Sequence, residues 1–177
     1  KIEGKKYTFD KEDTAESFTF GGPIIKDKAF FYVTYEDTLV TNPVLYGPAG
    51  SGAANEQSIT QAQVDNIRNI TKTKYGWDPL GVASTTESKQ ENTSLRIDYI
   101  VNENHRLTYN YKLTEGDRLR ASGSNSSFYF ESASYFKGEE TDTSSILLVS
   151  DWADNLISEI YWSNKSTDTS QESPAGQ

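Results

Sequence analysis

The chain has 177 residues, 17 basic against 26 acidic side chains, a formal net charge of −9, and neither cysteine nor methionine. Lacking cysteine, it has no disulfide framework, thiolate metal site or cysteine nucleophile. Its acidic balance argues against broad binding to nucleic acid or anionic lipid, which needs clustered Lys and Arg. Hydrophobic residues make up 34% of it, low for a helical membrane protein but enough for a barrel wall, where only every second strand residue must be apolar. No run of 18 apolar residues is present, so no transmembrane helix is expected. The start at Lys1 and the missing methionine suggest a piece of a longer protein.

Residues 1–14 are charged and aperiodic and read as the end of a loop. A first strand is expected over 15–22, with Phe18 and Phe20 on one face and Ser17 and Thr19 on the other. Gly21, Gly22 and Pro23 lead into a short turn, PIIKDK. A second strand over 29–38 alternates most clearly at Phe31, Val33 and Tyr35 against Thr34 and Glu36.

A long loop over 39–91 follows. Its stretch 47–57 is rich in Gly, Ala and Ser and is expected to be flexible. SITQAQVDNIRNITKTKYG then has helical spacing at Val64, Ile67 and Ile70, a capping box from Ser58 with Gln61 or Thr60 with Gln63, a C-cap at Gly76, and Pro79 to stop it. A helix inside a surface loop must place its apolar stripe on the loop itself or on a rim beneath.

Strands over 92–101 and 105–115 carry the clearest alternation. Leu95, Ile97, Tyr99, Leu107, Tyr109 and Tyr111 share an apolar face, and Arg96, Asp98, Arg106 and Lys112 share a charged one. Each has the nine to eleven residues with which a tilted strand spans a bilayer. The turn between them, VNENH, is short. A second long loop is expected over 115–141, with FYFESASYF adding strand above it. Strands over 142–152 and 155–164 flank the short turn WADN, and the residues from 165 on have loop composition. Trp152 beside a turn and Trp162 near a strand end suit interfacial aromatic belts.

Catalytic groupings are nearly absent. The single histidine, His105, lies in or beside a turn, so a His-based triad and a multi-histidine metal site are not expected. Glu139 and Glu140 are neighbours that point to opposite faces if extended, unlike a glycosidase pair. GPAGSGAA lacks the lysine and helix start of a phosphate loop. The expectation is no enzyme, no cofactor and no metal.

Short turns at one end and long loops at the other suit an outer-membrane barrel. FGGPIIKDKAFFYVTYEDT resembles a stretch of the Oar-like, OmpA-related branch of TonB-dependent outer-membrane receptors, with its Gly-Gly-Pro-Ile and Lys-Asp-Lys turn before an aromatic strand ending in Tyr-Glu. NTSLRIDYIVNENHRLTYNY is similar to the next hairpin of that family, and ITQAQVDNIRNITKTKYGWDPLG to the helical insertion between them. The resemblance covers about residues 14–162.

It implies that residues 1–177 are part of a barrel of about 22 strands closed by a plug, in a Gram-negative outer membrane, with the plug outside these residues. It further implies that the wall contacts outer-membrane lipid, the remainder of the barrel and the plug. TonB would act through absent N-terminal parts, and the ligand or protein cargo is unspecified. On that reading Leu95, Ile97, Tyr99, Leu107, Tyr109 and Tyr111 face lipid, and Arg96, Asp98, Arg106 and Lys112 face the lumen and pair across strands. Two alternatives stay open: a soluble acidic β-rich carbohydrate-binding or adhesion module, and a plugless diffusion porin.

Overall fold

The structure is a computed structural model that describes residues 11–120 and 127–176. Within these, the chain is mostly β, as the alternation requires. The strands are β1 (Glu12–Ile25), β2 (Ala29–Pro43), β3 (Tyr46–Ala49), β4 (Asn55–Thr60), β5 (Thr85–Asn102), β6 (His105–Arg120), β7 (Tyr135–Ala153) and β8 (Leu156–Glu172), with one helix, α1 (Gln61–Tyr75). A 3-10 turn covers Glu131–Ala133.

Six strands form one antiparallel sheet in the order β1-β2-β5-β6-β7-β8. It is a meander in which each strand pairs with the next large strand of the chain. β1 pairs only with β2 and β8 only with β7, so the sheet is open at both edges.

The three tight turns fall where expected, at residues 26–28, 103–104 and 154–155, all at one end of the sheet. Each has local chemistry that fits. Asp27 takes φ +59°, a left-handed conformation that Asp tolerates better than most residues. Lys28 N–H donates to Ile25 O at 3.0 Å. The Asn102 side chain accepts from Asn104 N–H at 2.9 Å, the local bond that makes Asn a turn former.

The strands run further than the alternation indicated, and the loops shrink to match. β5 begins at Thr85 rather than 92, β6 continues to Arg120 rather than 115, and β7 begins at Tyr135 rather than 142. β1 starts at Glu12, inside the expected leading loop, and β8 continues to Glu172, through most of the expected tail. Apart from Leu119, Tyr135 and Phe136 the extra length is polar on both faces, so it has no hydrophobic period to reveal it. It is held by ladder hydrogen bonds to equally long neighbours and is rich in β-branched threonine, as in the direct pairs Thr141↔Thr167 and Asn42↔Thr86. FYFESASYF is extended only at its end, where Tyr135 and Phe136 open β7.

The first long loop is also more ordered than its composition suggested. β3 and β4 pair in parallel across the small residues 47–57. Gly47, Pro48 and Ala54 are buried there. A Cβ at Gly47 would lie 2.6 Å from Ser51 Oγ and 3.0 Å from the Ala53 Cβ, so small side chains are what allow the chain to fold back. α1 uses the second of the two possible capping boxes: Thr60 Oγ1 accepts from Gln63 N–H, and the Gln63 side chain accepts from Thr60 N–H. Gly76 caps its C-terminus with φ 68°, a left-handed position open to glycine.

Of the apolar stripe only Val64 is buried, while Ile67 and Ile70 remain 41% and 39% exposed. Ion pairs add to this limited packing. Arg68 contacts both carboxylate oxygens of Asp78 at 2.8 and 2.9 Å, and Lys72 Nζ lies 2.9 Å from Asp78 Oδ2.

The sheet itself has almost no core. Among the described residues the buried apolar side chains are Ala29, Pro48, Ala54, Val64 and Pro79, and of these only Ala29 belongs to the six-stranded sheet. Among the described residues no second layer covers either face of the sheet.

Candidate functional site

Residues directly opposite each other in a sheet share a face, so the register sorts every side chain. One face carries the rungs Phe31–Ile97–Tyr109–Ile146–Trp162 and Phe20–Val33–Leu95–Tyr111–Ser144–Asn164. The six residues expected to face lipid, Leu95, Ile97, Tyr99, Leu107, Tyr109 and Tyr111, all lie on it. The opposite face carries Thr19–Thr34–Ser94–Lys112–Thr143–Lys165 and Gly21–Tyr32–Arg96–Asn110–Ser145–Ser163. The four residues expected to face a lumen, Arg96, Asp98, Arg106 and Lys112, lie there together.

The apolar face is not uniform along the strands. Phe18 shares a rung with Tyr35, Thr93, Leu113, Asp142 and Ser166. The uppermost apolar residue is thus Phe18 on β1 but Trp162 on β8, four positions below that rung. Over five strand spacings this slopes the apolar band by roughly 30° to the rungs, taking ~3.3 Å per residue and ~4.8 Å per strand. Such a slope is expected when strands cross a planar layer at a tilt, and barrel strands tilt by about 35–45°. Trp162 consequently stands mid-strand, level with Ile146 and Tyr109, rather than near a strand end.

The next rung on this face reads Glu16–Asp37–Glu91–Glu115–Glu140–Asp168: six strands, six carboxylates. Like charges directly opposite are destabilising, and this arrangement is tolerable only where water screens it. Lys89, two residues from Glu91 on β5, offsets part of it through an ion pair with Glu91. The face therefore changes from apolar to predominantly acidic along the strand axis, with Leu39, Leu119 and Phe136 the apolar side chains above the acidic rung.

The polar face is bonded along and between strands. Arg96 grips Asp98 of its own strand with two bonds, Nε–Oδ2 2.7 Å and Nη2–Oδ1 2.9 Å. The expected pairing across strands gives way to this one, because residues two apart on a strand lie on one side. The cross-strand contribution comes from Thr108, whose hydroxyl donates to Asp98 Oδ1 at 2.8 Å. Thr34 and Ser94, Thr114 and Asn92, and Asn110 and Ser145 are further cross-strand partners. Arg106 and Lys112 have no ion pair among the described residues.

His105 opens β6 at the turn end, and its ring lies 4.9 Å from that of Trp152. The Trp152 indole donates to Ser158 Oγ at 2.8 Å. The pair sits at the lower border of the apolar band and has an apolar body with a polar tip, the profile of an interfacial residue.

At the other end the two long loops are joined. Gln57 Nε2 donates to Ser127 O at 2.7 Å, Glu131 N–H to Gly81 O at 2.8 Å and Ser132 N–H to Pro79 O at 3.2 Å. A cleft of about 440 Å³ opens between β3 and residues 82–85, beside Tyr46, Ser51 and Gln61. The hydrogen bonds from Arg68 and Lys72 hold the Asp78 carboxyl well below the usual carboxylate range.

The charged rungs of the upper sheet are not legible in the sequence, because 115–141 has the composition of a loop. The signal was present in EGDRLR, where Glu115, Asp117 and Leu119 alternate with Gly116, Arg118 and Arg120, but polar alternation does not stand out in a hydrophobicity pattern. Comparison with family models, curated proteins and solved structures found no match to the chain.

Proposed function

We propose that this chain forms part of the wall of a TonB-dependent outer-membrane transporter of a Gram-negative bacterium, with lipid against the apolar face and an aqueous lumen against the polar one. The observation that carries the reading is the single face that is apolar across the lower strands and carboxylate-lined above, with a sloping border between. A soluble sandwich buries one whole inner face against a second sheet, and such a layer would also desolvate the six carboxylates. A bilayer covers only a band about 25 Å tall and leaves the acidic rung in water. The open edges of β1 and β8 fit the same reading, since further strands of a barrel would pair with them. Energy coupling through TonB and closure by a plug rest on the resemblance of FGGPIIKDKAFFYVTYEDT and NTSLRIDYIVNENHRLTYNY.

The test is extraction and topology of the complete polypeptide that carries this sequence. The expected result is detergent-dependent extraction with the outer membrane, and surface protease cutting in the long loops but not at residues 26–28, 103–104 or 154–155. Recovery in buffer without detergent would instead establish the soluble carbohydrate-binding or adhesion module. Solute flux independent of TonB would establish the diffusion porin.

A further inference from the structure

The upper polar face brings two cations together beside a recess. Arg118 of β6 and Lys137 of β7 are directly opposite in the register, an arrangement of like charges that destabilises a sheet. Among the described residues Arg118 has no ion pair, and Lys137 has one long contact, 3.6 Å to Glu139. Below them, Gly116 leaves a recess of about 180 Å³, with Gln90 and Thr141 on its walls. Backbone crowding does not explain this glycine. A Cβ there would meet Lys89 O at 3.7 Å and Glu139 O at 3.9 Å, ordinary contacts, so a larger residue would fit the strand and fill the recess.

We propose that this recess is a phosphate-binding subsite, recognising a phosphate-bearing solute through Arg118 and Lys137 with Gln90 and Thr141 as neutral hydrogen-bond donors. A guanidinium supplies paired N–H groups matched to phosphate oxygens, and an ammonium adds a mobile point charge. A bound anion would add to the screening that water and Glu139 already give the Arg118–Lys137 pair. The subsite lies on the polar face, opposite the acidic rung, with the Glu139 carboxylate also on its wall. Glu139 competes with the ligand for Lys137 and tempers affinity. The solute's access to the recess rests on the reading of the polar face as channel lining.

The experiment titrates inorganic pyrophosphate calorimetrically into the complete polypeptide folded in detergent, at low and high salt. Saturable binding that weakens with salt is expected, reduced about tenfold or more in Arg118→Gln and in Lys137→Gln. Gly116→Leu, which keeps every charge but fills the recess, is expected to abolish it, and Glu139→Gln to tighten it. Glu140→Gln, on the opposite face, is expected to bind as the unaltered protein does. Absence of saturable binding, or binding that ignores both Arg118→Gln and Lys137→Gln, overturns the subsite. A protein recovered folded without detergent overturns the wall reading instead, and the same titration then still reports on the recess.

Discussion

Arg96 and Asp98, two residues apart on β5, form a two-point ion pair along one strand, and Thr108 of β6 donates to the same carboxylate at 2.8 Å. The strand thus supplies both charges to one face, and its neighbour fixes the geometry. The Arg96 side chain is 55% exposed, so the pair is substantially screened. Arg96→Gln is expected to lower stability by about 0.5–1 kcal/mol, read as a shift in the urea midpoint of the detergent-folded protein. A loss several times larger would mean that Asp98 is sealed from water.

On the apolar face the expected cost of charge is much higher. Ile97→Lys, in the middle of the band, is expected to destabilise the folded protein in bilayers by about 2–4 kcal/mol, and Asn110→Lys, on the other face, by much less. Equal costs would remove the distinction between a lipid side and a water side.

Tryptophan fluorescence offers a depth gauge for the apolar face. Trp152 and Trp162 lie on that face, 60% and 55% exposed, with Trp152 at the turn and Trp162 level with Ile146. Trp162 is the uppermost apolar residue on β8 and Trp152 stands at the lower border, so brominated lipids are expected to quench both, most strongly when the bromine lies near the headgroups rather than at the bilayer centre. Trp77, in the first long loop, is expected to be insensitive, so single-Trp variants assign the signal.

Asp78 ties α1 to the following loop through Arg68 and Lys72. Its folded pKa lies below the ordinary value of 3.8, so the latch contributes fully above that value and is lost as pH falls beneath it toward the depressed folded value. Protease resistance of the loop is expected to be unchanged between pH 7 and pH 5 and to drop only in stronger acid. Asp78→Asn is expected to loosen the loop at pH 7 without altering the sheet. A loop that opens between pH 7 and pH 5 would show that another group holds it.

Gly21 faces Tyr32 across the β1–β2 pair. A Cβ at Gly21 would come within 2.8 Å of both Tyr32 Cδ2 and the Phe31 carbonyl oxygen. The backbone oxygen cannot turn away, so Gly21→Ala is expected to cost about 1–3 kcal/mol through local displacement. Chemical unfolding of the pair Gly21→Ala and Gly22→Ala tests this, since a Cβ at Gly22 meets nothing nearer than 4.0 Å.

The amino-acid sequence by itself determined the all-β class, the three tight turns, the helix with its Gly76 cap and a choice of two N-terminal capping boxes, and the separation of Leu95, Ile97, Tyr99, Leu107, Tyr109 and Tyr111 from Arg96, Asp98, Arg106 and Lys112. Each of these is local: period-two alternation, a turn side chain or a capping side chain acts within a few residues. The tertiary structure decided the rest. How far the strands extend, which residues share a rung, and how β3 and β4 fold the first loop back on itself depend on partners distant in sequence. A polar strand carries no period that sets it apart from a loop, and only the neighbouring strand's ladder makes it one. That is why the row of six carboxylates and the meeting of Arg118 with Lys137 emerged only from the register.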